Sequence, residues 1–264
     1  MDRLKAIEKL RDDSNYYGEF GKQFISNSDI KTLLFDTKQF HLQTNTTQAM
    51  EEGRYFHQLI LESEKAKDFL IADVGRRDAS YKKFLEENNV DFALKTSEAD
   101  SIKELVEWCL NDPIEEKDDS RIEMRDTIQD FNAIYEEPMV GELFGHQFKC
   151  KADLIVDDTI IDLKTSNDVA RWSSNAQYWG YDTQAYIYQK LFGLDKMKFI
   201  VVGKEKKKYG TLDEYYYDVG YFDVTPETLE RAKQKIEHAL QHYDKHFSEN
   251  AKASIKSICY RGSF

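Results

Sequence analysis

The stretch Lys151-Ala-Asp153-Leu-Ile-Val-Asp157-Asp158-Thr-Ile-Ile-Asp162-Leu163-Lys164 constrains this chain more than any other. Apolar and polar residues alternate on both sides of Asp157-Asp158, the period of half-buried strands, and a two-residue turn there pairs Val156 with Thr159. Counting outward, Asp153 falls opposite Asp162 and Lys151 opposite Lys164. Opposed side chains in an antiparallel pair stand roughly 4.5–5.5 Å apart at Cβ, where like charges repel. A divalent cation offsets that repulsion, because Mg2+ and Mn2+ prefer carboxylate oxygens and two carboxylates this close can share one ion. The alternation also sends Asp162 and Lys164 to one face and Leu163 into the core, so an ammonium group stands beside the pair. That combination suits phosphodiester hydrolysis: the ion polarises the phosphate and acidifies a water, and the lysine orients or deprotonates it. An ordinary exposed hairpin with a charged outer face would show the same alternation.

Two further segments bear on the choice. From about Ser174 to Leu191 the spacing is helical, stops at Gly193, and puts Tyr181, Gln184 and Tyr188 on one stripe; a polar helix edge reads the same way. Upstream, Gly53-Arg-Tyr-Phe-His57-Gln-Leu-Ile-Leu-Glu62 lies on a second predicted helix, capped by Thr46 or Thr47, with Met50, Gly53, His57 and Leu61 on one face. A lone histidine on an apolar face is more often a satisfied core residue than a ligand.

Taken in order, His57, Asp153, Asp162-Leu163-Lys164 and Gln184-x-x-x-Tyr188 resemble the PD-(D/E)XK nucleases, and the Gln-x-x-x-Tyr stripe resembles their RecB-like exonuclease branch. Gly53-x-x-x-His57 with Leu61-Glu62, and the opening Ser26-Asn-Ser-Asp-Ile-Lys-Thr-Leu-Leu34, are similar to the exodeoxyribonuclease VIII (RecE-type) group of phages and prophages. The resemblance spans about residues 24–260. It implies an α+β restriction-endonuclease-like core, a mixed central sheet flanked by helices, with a helical N-terminal part. By similarity Asp153 and Asp162 bind the metal, the main-chain carbonyl of Leu163 adds a ligand, His57 joins them, and Lys164 handles the attacking water. Gln184 and Tyr188 would position the DNA strand. Glu137 or, equally, Glu136 matches the acidic residue that many relatives carry before the hairpin. Ala152 stands where the motif has proline, and the second acid is Asp rather than Glu; the superfamily tolerates both.

The activity implied is 5′ to 3′ digestion of linear double-stranded DNA with Mg2+, replaceable by Mn2+. It would leave 3′ overhangs for a recombinase or a single-strand annealing protein, and a homo-oligomeric ring, trimer or tetramer, fits the relatives. An endonuclease, a flap or single-strand nuclease, or a non-catalytic binding or assembly protein of the same fold are the alternatives. The last conflicts with the intact Asp153, Asp162 and Lys164. Three scattered cysteines, Cys109, Cys150 and Cys259, cannot supply the four ligands of an iron-sulfur cluster, so none is expected.

The formal net charge of -12 runs against phosphate binding unless the basic residues are concentrated. Candidate DNA contacts are Arg76-Arg77 with Lys82-Lys83, Lys149 with Lys151 beside the hairpin, and Tyr181. The run Lys204-Glu-Lys206-Lys207-Lys208 reads better as a solvated face. At 264 residues and 41% hydrophobic content the chain can bury a full core without staples, and one domain is expected, helical to about residue 130 and sheet-bearing from about 131 to 260. No apolar run reaches membrane length and the N-terminus shows no signal peptide, so a cytoplasmic protein is expected, in the host cytoplasm if phage-encoded. Strands are predicted near 138–144, 146–156, 159–165, 197–203 and 214–224. A turn is predicted at Asn111-Asp112-Pro113, and a long helix runs from Thr225-Pro226 to about Phe247. Tyr209–Asp213 and Lys117–Ser120 are the expected mobile loops.

Overall fold

The computed structural model describes residues 2–42, 45–111, 119–208, 215–248 and 251. Most of the Asn111-Asp112-Pro113 turn, the Tyr209–Asp213 loop, Lys117, Asp118 and Cys259 lie outside them, while Asp119 and Ser120, expected in a mobile loop, begin a helix. The N-terminal part holds α1 (Arg3–Leu10), α2 (Asp13–Tyr16), α3 (Asn27–Phe35), α4 (Gln48–Leu61), α5 (Ser63–Ala66), α6 (Ala79–Glu87), α7 (Thr96–Leu110) and α8 (Asp119–Ile128). It is not purely helical: β1 (Ile71–Ala72) and β2 (Leu94–Lys95) pair in parallel beside α7. Local chemistry fixes several starts. Ser26 and Asp29 form a reciprocal capping box on α3, and the Thr47 hydroxyl, not that of Thr46, accepts the Met50 amide to cap α4.

The main sheet comprises β3 (Ile134–Leu143), β4 (His146–Val156), β5 (Thr159–Ser166), β6 (Lys196–Gly203) and β9 (Val219–Asp223), ordered β3-β4-β5-β6-β9. The short pair β7 (Lys207–Lys208) and β8 (Tyr215–Tyr216) stands apart from it. Only β5 and β6 run parallel, joined by α9 (Trp172–Trp179) and α10 (Tyr181–Phe192), so the sheet is mixed as the sequence implies. The single helix expected over Ser174–Leu191 is two, because Gly180 takes a left-handed φ of 78° and breaks it. The last element, α11 (Pro226–His246), starts where Thr225-Pro226 predicts, with proline in its first turn and the Thr225 hydroxyl capping it.

The sheet is covered on both faces. Leu154, Ile161, Leu163, Ile200 and Val202 pack with Tyr55 and Phe56 of α4 and with Ile102, Leu105 and Val106 of α7. Ile160, Met197, Phe199 and Val201 pack instead with Trp172 of α9 and Ala185 of α10, the opposite parity along each strand, as a two-residue period demands. In β4 the parity slips. Ala152 packs with the α9–α10 side and Leu154 with the α4–α7 side. Asp153 stands between them, opposite Glu136 of β3, whose φ of 50° lies in the left-handed region. For a non-glycine residue that backbone costs about 1–3 kcal/mol, and such strain gathers at functional sites.

Candidate active site

The predicted hairpin is present, with Val156 opposite Thr159 and Leu154 opposite Ile161, and Asp157 turning the chain at a φ of 51°. The ladder stops at Leu154–Ile161, so the expected Lys151–Lys164 pairing does not form: Lys151 aligns with Pro138 of β3 and Lys164 with Val201 of β6. Asp153 and Asp162 occupy the next position of the same register. On the other side Glu136 falls opposite Asp153, between the pairs Tyr135–Leu154 and Glu137–Ala152. Three acids therefore form a row across β3, β4 and β5.

His57 reaches this row from α4. Its Nε2 lies 2.8 Å from the Leu163 carbonyl oxygen, and since a carbonyl only accepts, Nε2 carries the hydrogen. The Nδ1 lone pair then faces Asp153 Oδ2 at 3.5 Å, while that oxygen accepts the Leu163 amide at 2.9 Å. Burial and the nearby Lys164 ammonium lower the His57 pKa, favouring the neutral imidazole a metal needs. Ligand atoms of His57, Glu136 and Asp153 all lie within 4.8 Å of one another. Burial and the charge of Asp162 push Asp153 up to about 8. Burial and the charge of Asp153 push Glu136 up to about 7. Two carboxylates that resist ionising side by side next to a neutral imidazole fit a divalent cation, whose charge reverses both penalties.

Asp162 is 1% exposed. Its Oδ1 accepts from the Gln184 side-chain amide and its Oδ2 meets the Lys164 ammonium. Burial disfavours the Lys164 charge, but Asp162 and Asp153 outweigh it and raise its pKa. The ammonium also lies 5.3 Å from the Tyr181 ring centroid, and Tyr181 stacks on Trp172 at 5.2 Å. Tyr181 and Gln184 on α10 meet the Asp162–Lys164 pair; Tyr188 is half-buried between α10 and the sheet, and its hydroxyl pKa is raised by burial first and further by Tyr16, Cys150 and the charges of Asp162 and Asp153.

Several expectations are corrected. Glu136, not Glu137, joins the His57 group; Glu137 accepts both guanidinium nitrogens of Arg11 at 2.6 and 2.7 Å. Lys151 is held by Asp13 at 2.5 Å and lies 3.5 Å from Glu136, its side chain 9% exposed, so it is a buried partner of the acids rather than a surface DNA contact. Lys149 is buried, donating to the Tyr16 carbonyl, and burial lowers its pKa to about 8. Arg76 is clamped by both oxygens of Glu98 and lies over Phe92, which leaves Arg77 as the exposed member of that pair. Lys206 and Lys207 pair with Glu104 and Asp218 at the surface, as a solvated face would, whereas Lys204, its side chain 19% exposed, is drawn in against the half-buried Glu52. The sequence reading missed the clamp from Arg11 and Asp13. Their partners lie 126 and 138 residues away, and nothing local signals such a contact.

The chain matches the PDDEXK-like domain of unknown function (DUF3799) over residues 22–258. No curated protein matches it. Among solved structures, it is similar to a "Putative exonuclease" from Eubacterium rectale, with a TM-score of 0.59 and 18% identity over 96% of this chain and 95% of that one. A looser likeness, TM-score 0.36 and 13% identity, is to a phage related exonuclease from Haemophilus somnus, covering 84% of this chain and 94% of that one. The first likeness concerns the fold. With a family match over nearly its whole length and the acidic row set in the sheet, the chain belongs to the PDDEXK-like family, whose fold is that of nucleases.

Proposed function

We propose that this protein is a metal-dependent deoxyribonuclease acting as an exonuclease on linear double-stranded DNA. The observation that carries the reading is the convergence of His57, Glu136 and Asp153 beside the Asp162–Lys164 pair. Mg2+, or Mn2+ in its place, would supply Lewis acidity toward the phosphate and the attacking water. Asp153, Glu136 and the free lone pair of His57 would hold it; the resemblance adds Asp162 and the Leu163 carbonyl, which in the metal-free arrangement are engaged by Gln184 with Lys164 and by His57 respectively. In the metal-free arrangement Asp162 and Asp153 hold the Lys164 proton, so its ammonium stands where it would position the phosphate and the attacking water. Gln184 holds the carboxylate that holds Lys164, and Tyr181 bounds the ammonium on its ring face. The products would be a 5′-phosphate on the released nucleotide and a 3′-hydroxyl on its neighbour. Digestion from the 5′ end, 3′ overhangs passed to an annealing protein or recombinase, and a ring-shaped homo-oligomer in a cytoplasm complete the reading, supported by the resemblance of the motifs alone.

Digestion of linear duplex labelled separately at each 5′ and 3′ end, with Mg2+ or EDTA and a closed circular control, tests it. Release of the 5′ label first, only with metal and only from the linear substrate, is the expected result. Cutting of the circle would make the protein an endonuclease, and no cutting at all would make it a non-catalytic member of the fold.

A further inference from the structure

Gly53 stands in the interior of α4, where glycine is a poor choice: without a Cβ it has the most backbone freedom to lose in a helix. Packing among the described residues gives no reason for it, because a Cβ built there meets none of them within 4 Å. Other glycines have such reasons. Gly180 and Gly193 take left-handed φ values at helix ends, and a Cβ on Gly220 would press into Phe222 and Val169. No described residue accounts for the bareness of Gly53 or shows what faces it.

Its position says what. Gly53 precedes His57 by four residues, so the two share one face of α4 a single turn apart. Met50, one turn earlier on that face, is 54% exposed, and Gly53 and His57 are part-exposed, so the face stays accessible from its start to the His57 imidazole. The neighbouring Glu52 holds the Lys204 ammonium at 2.7 Å, and the Lys204 amide bonds to the Ser166 carbonyl where β5 and β6 end. The open face thus runs beside the strand ends that carry Lys164. We propose that Gly53 is a clearance point for substrate: a bare helix turn over which a nucleic-acid strand lies, its sugar-phosphate backbone in contact with the helix, as it enters the His57–Glu136–Asp153 group. This rests on the nuclease reading and adds a specificity-determining residue to it.

The test compares wild type with Gly53→Ala and Gly53→Leu in three measurements: melting temperature, Mn2+ binding, and hydrolysis of both linear duplex DNA and bis(p-nitrophenyl) phosphate. Removing an unforced helical glycine should raise the Tm of Gly53→Ala by roughly 2–4 °C in a chain of this size. Mn2+ binding and turnover of the small diester should stay at wild-type levels, while KM for DNA rises on the order of tenfold in Gly53→Ala and further in Gly53→Leu. Wild-type cleavage of DNA by both variants would overturn the inference and leave the nuclease reading standing. So would a parallel loss of metal binding and small-diester hydrolysis in Gly53→Ala, since the glycine would then be structural. A wild-type protein that cuts neither substrate removes both.

Discussion

Asp153 and Asp162 are the same residue type at one register position of one hairpin, yet their surroundings are opposite. Asp162, at the β5 end of the acidic row, is sealed from water with Gln184 on one oxygen and the Lys164 ammonium on the other. Asp153, at the β3 side, faces Glu136 and the lone pair of His57; Lys164, the Leu163 amide and Lys151 offset burial and the charge of Asp162 only in part, and its pKa stays raised. One end of the row is neutralised by its own ion pair, whereas at the other Lys151 lies 3.5 Å from Glu136 but is shared with Asp13, and the acids stay under-compensated. The contrast teaches that opposed acids in a sheet do not by themselves mark where an ion belongs; the pair must be read together with what already compensates each member.

The largest effect should come from breaking that contrast directly. Asp153→Ala and Asp162→Ala should each lower DNA cleavage by on the order of 10²–10³-fold or more. They should differ in stability. Asp153→Ala removes a charge from a repulsive cluster, so calorimetry of the metal-free protein should show an unchanged or raised Tm, while titration calorimetry shows Mn2+ binding lost. Asp162→Ala strands the Lys164 ammonium, 19% exposed, beside an apolar layer and should cost about 2–4 kcal/mol, a little under the usual penalty for breaking a fully buried pair. The hairpin alone predicts a harmless deletion at both positions, because each charge repels the other. Equal Tm shifts in the two variants would erase the distinction.

The second pair sharpens the β3 end. Glu136→Gln should weaken Mn2+ binding on the order of 10–100-fold. Glu137→Gln should leave it unchanged and cost no more than about 1 kcal/mol, since its Arg11 partner is 46% exposed. A reversed result would return the acidic role to Glu137. Sequence could not separate these neighbours. Alternation assigns faces only to a regular strand, and Glu136 leaves regular geometry at the one residue that matters. The hairpin, the α4 cap, the α11 start and the Gly193 stop were legible because each rests on chemistry within a few residues. The Gly180 break was not legible, because a glycine inside a helical pattern looks tolerable until neighbouring elements dictate the angle. Lys149 and Lys151 read as a basic patch because their partners, Tyr16 and Asp13, come from the far end of the chain.

A smaller effect should appear with pH. Asp153 is raised from 3.8 to about 8 and Glu136 from 4.5 to about 7, so across that interval the metal-free folded state binds more protons than the unfolded one. Stability is then full below about pH 4 as far as these groups are concerned, and falls as pH rises toward about 8. A saturating divalent cation should flatten or reverse the slope, since the ion binds the ionised forms. Tm measured from pH 5 to 8.5, with EDTA and with Mn2+, would show it, and parallel curves would mean that the cation does not bind at these acids. Asp162 makes the internal control: Asp162→Asn should preserve the EDTA slope in direction, whereas Asp153→Asn should remove most of it.

The smallest effect concerns the lysines on β4, where burial and charge pull in different directions. Lys149 is 7% exposed, gives its ammonium to the Tyr16 carbonyl and sits 4.3 Å from that ring's centroid. Replacing it by methionine keeps the volume, removes a desolvated charge and leaves one carbonyl without its donor, terms that nearly cancel to within about 1.5 kcal/mol. A phosphate contact would behave differently. Neutralising one contact lowers the slope of log affinity against log salt by about 1. Lys149→Met should leave that slope unchanged in DNA-binding titrations run in Ca2+ at several ionic strengths. Arg77, exposed beside the clamped Arg76, is the side chain whose replacement by alanine should lower it. A reduced slope for Lys149→Met would mean that DNA binding draws this lysine out of its pocket, which the Tyr16 contact opposes. An unchanged slope for both variants would place the counter-charge for DNA elsewhere on a chain whose formal net charge is -12.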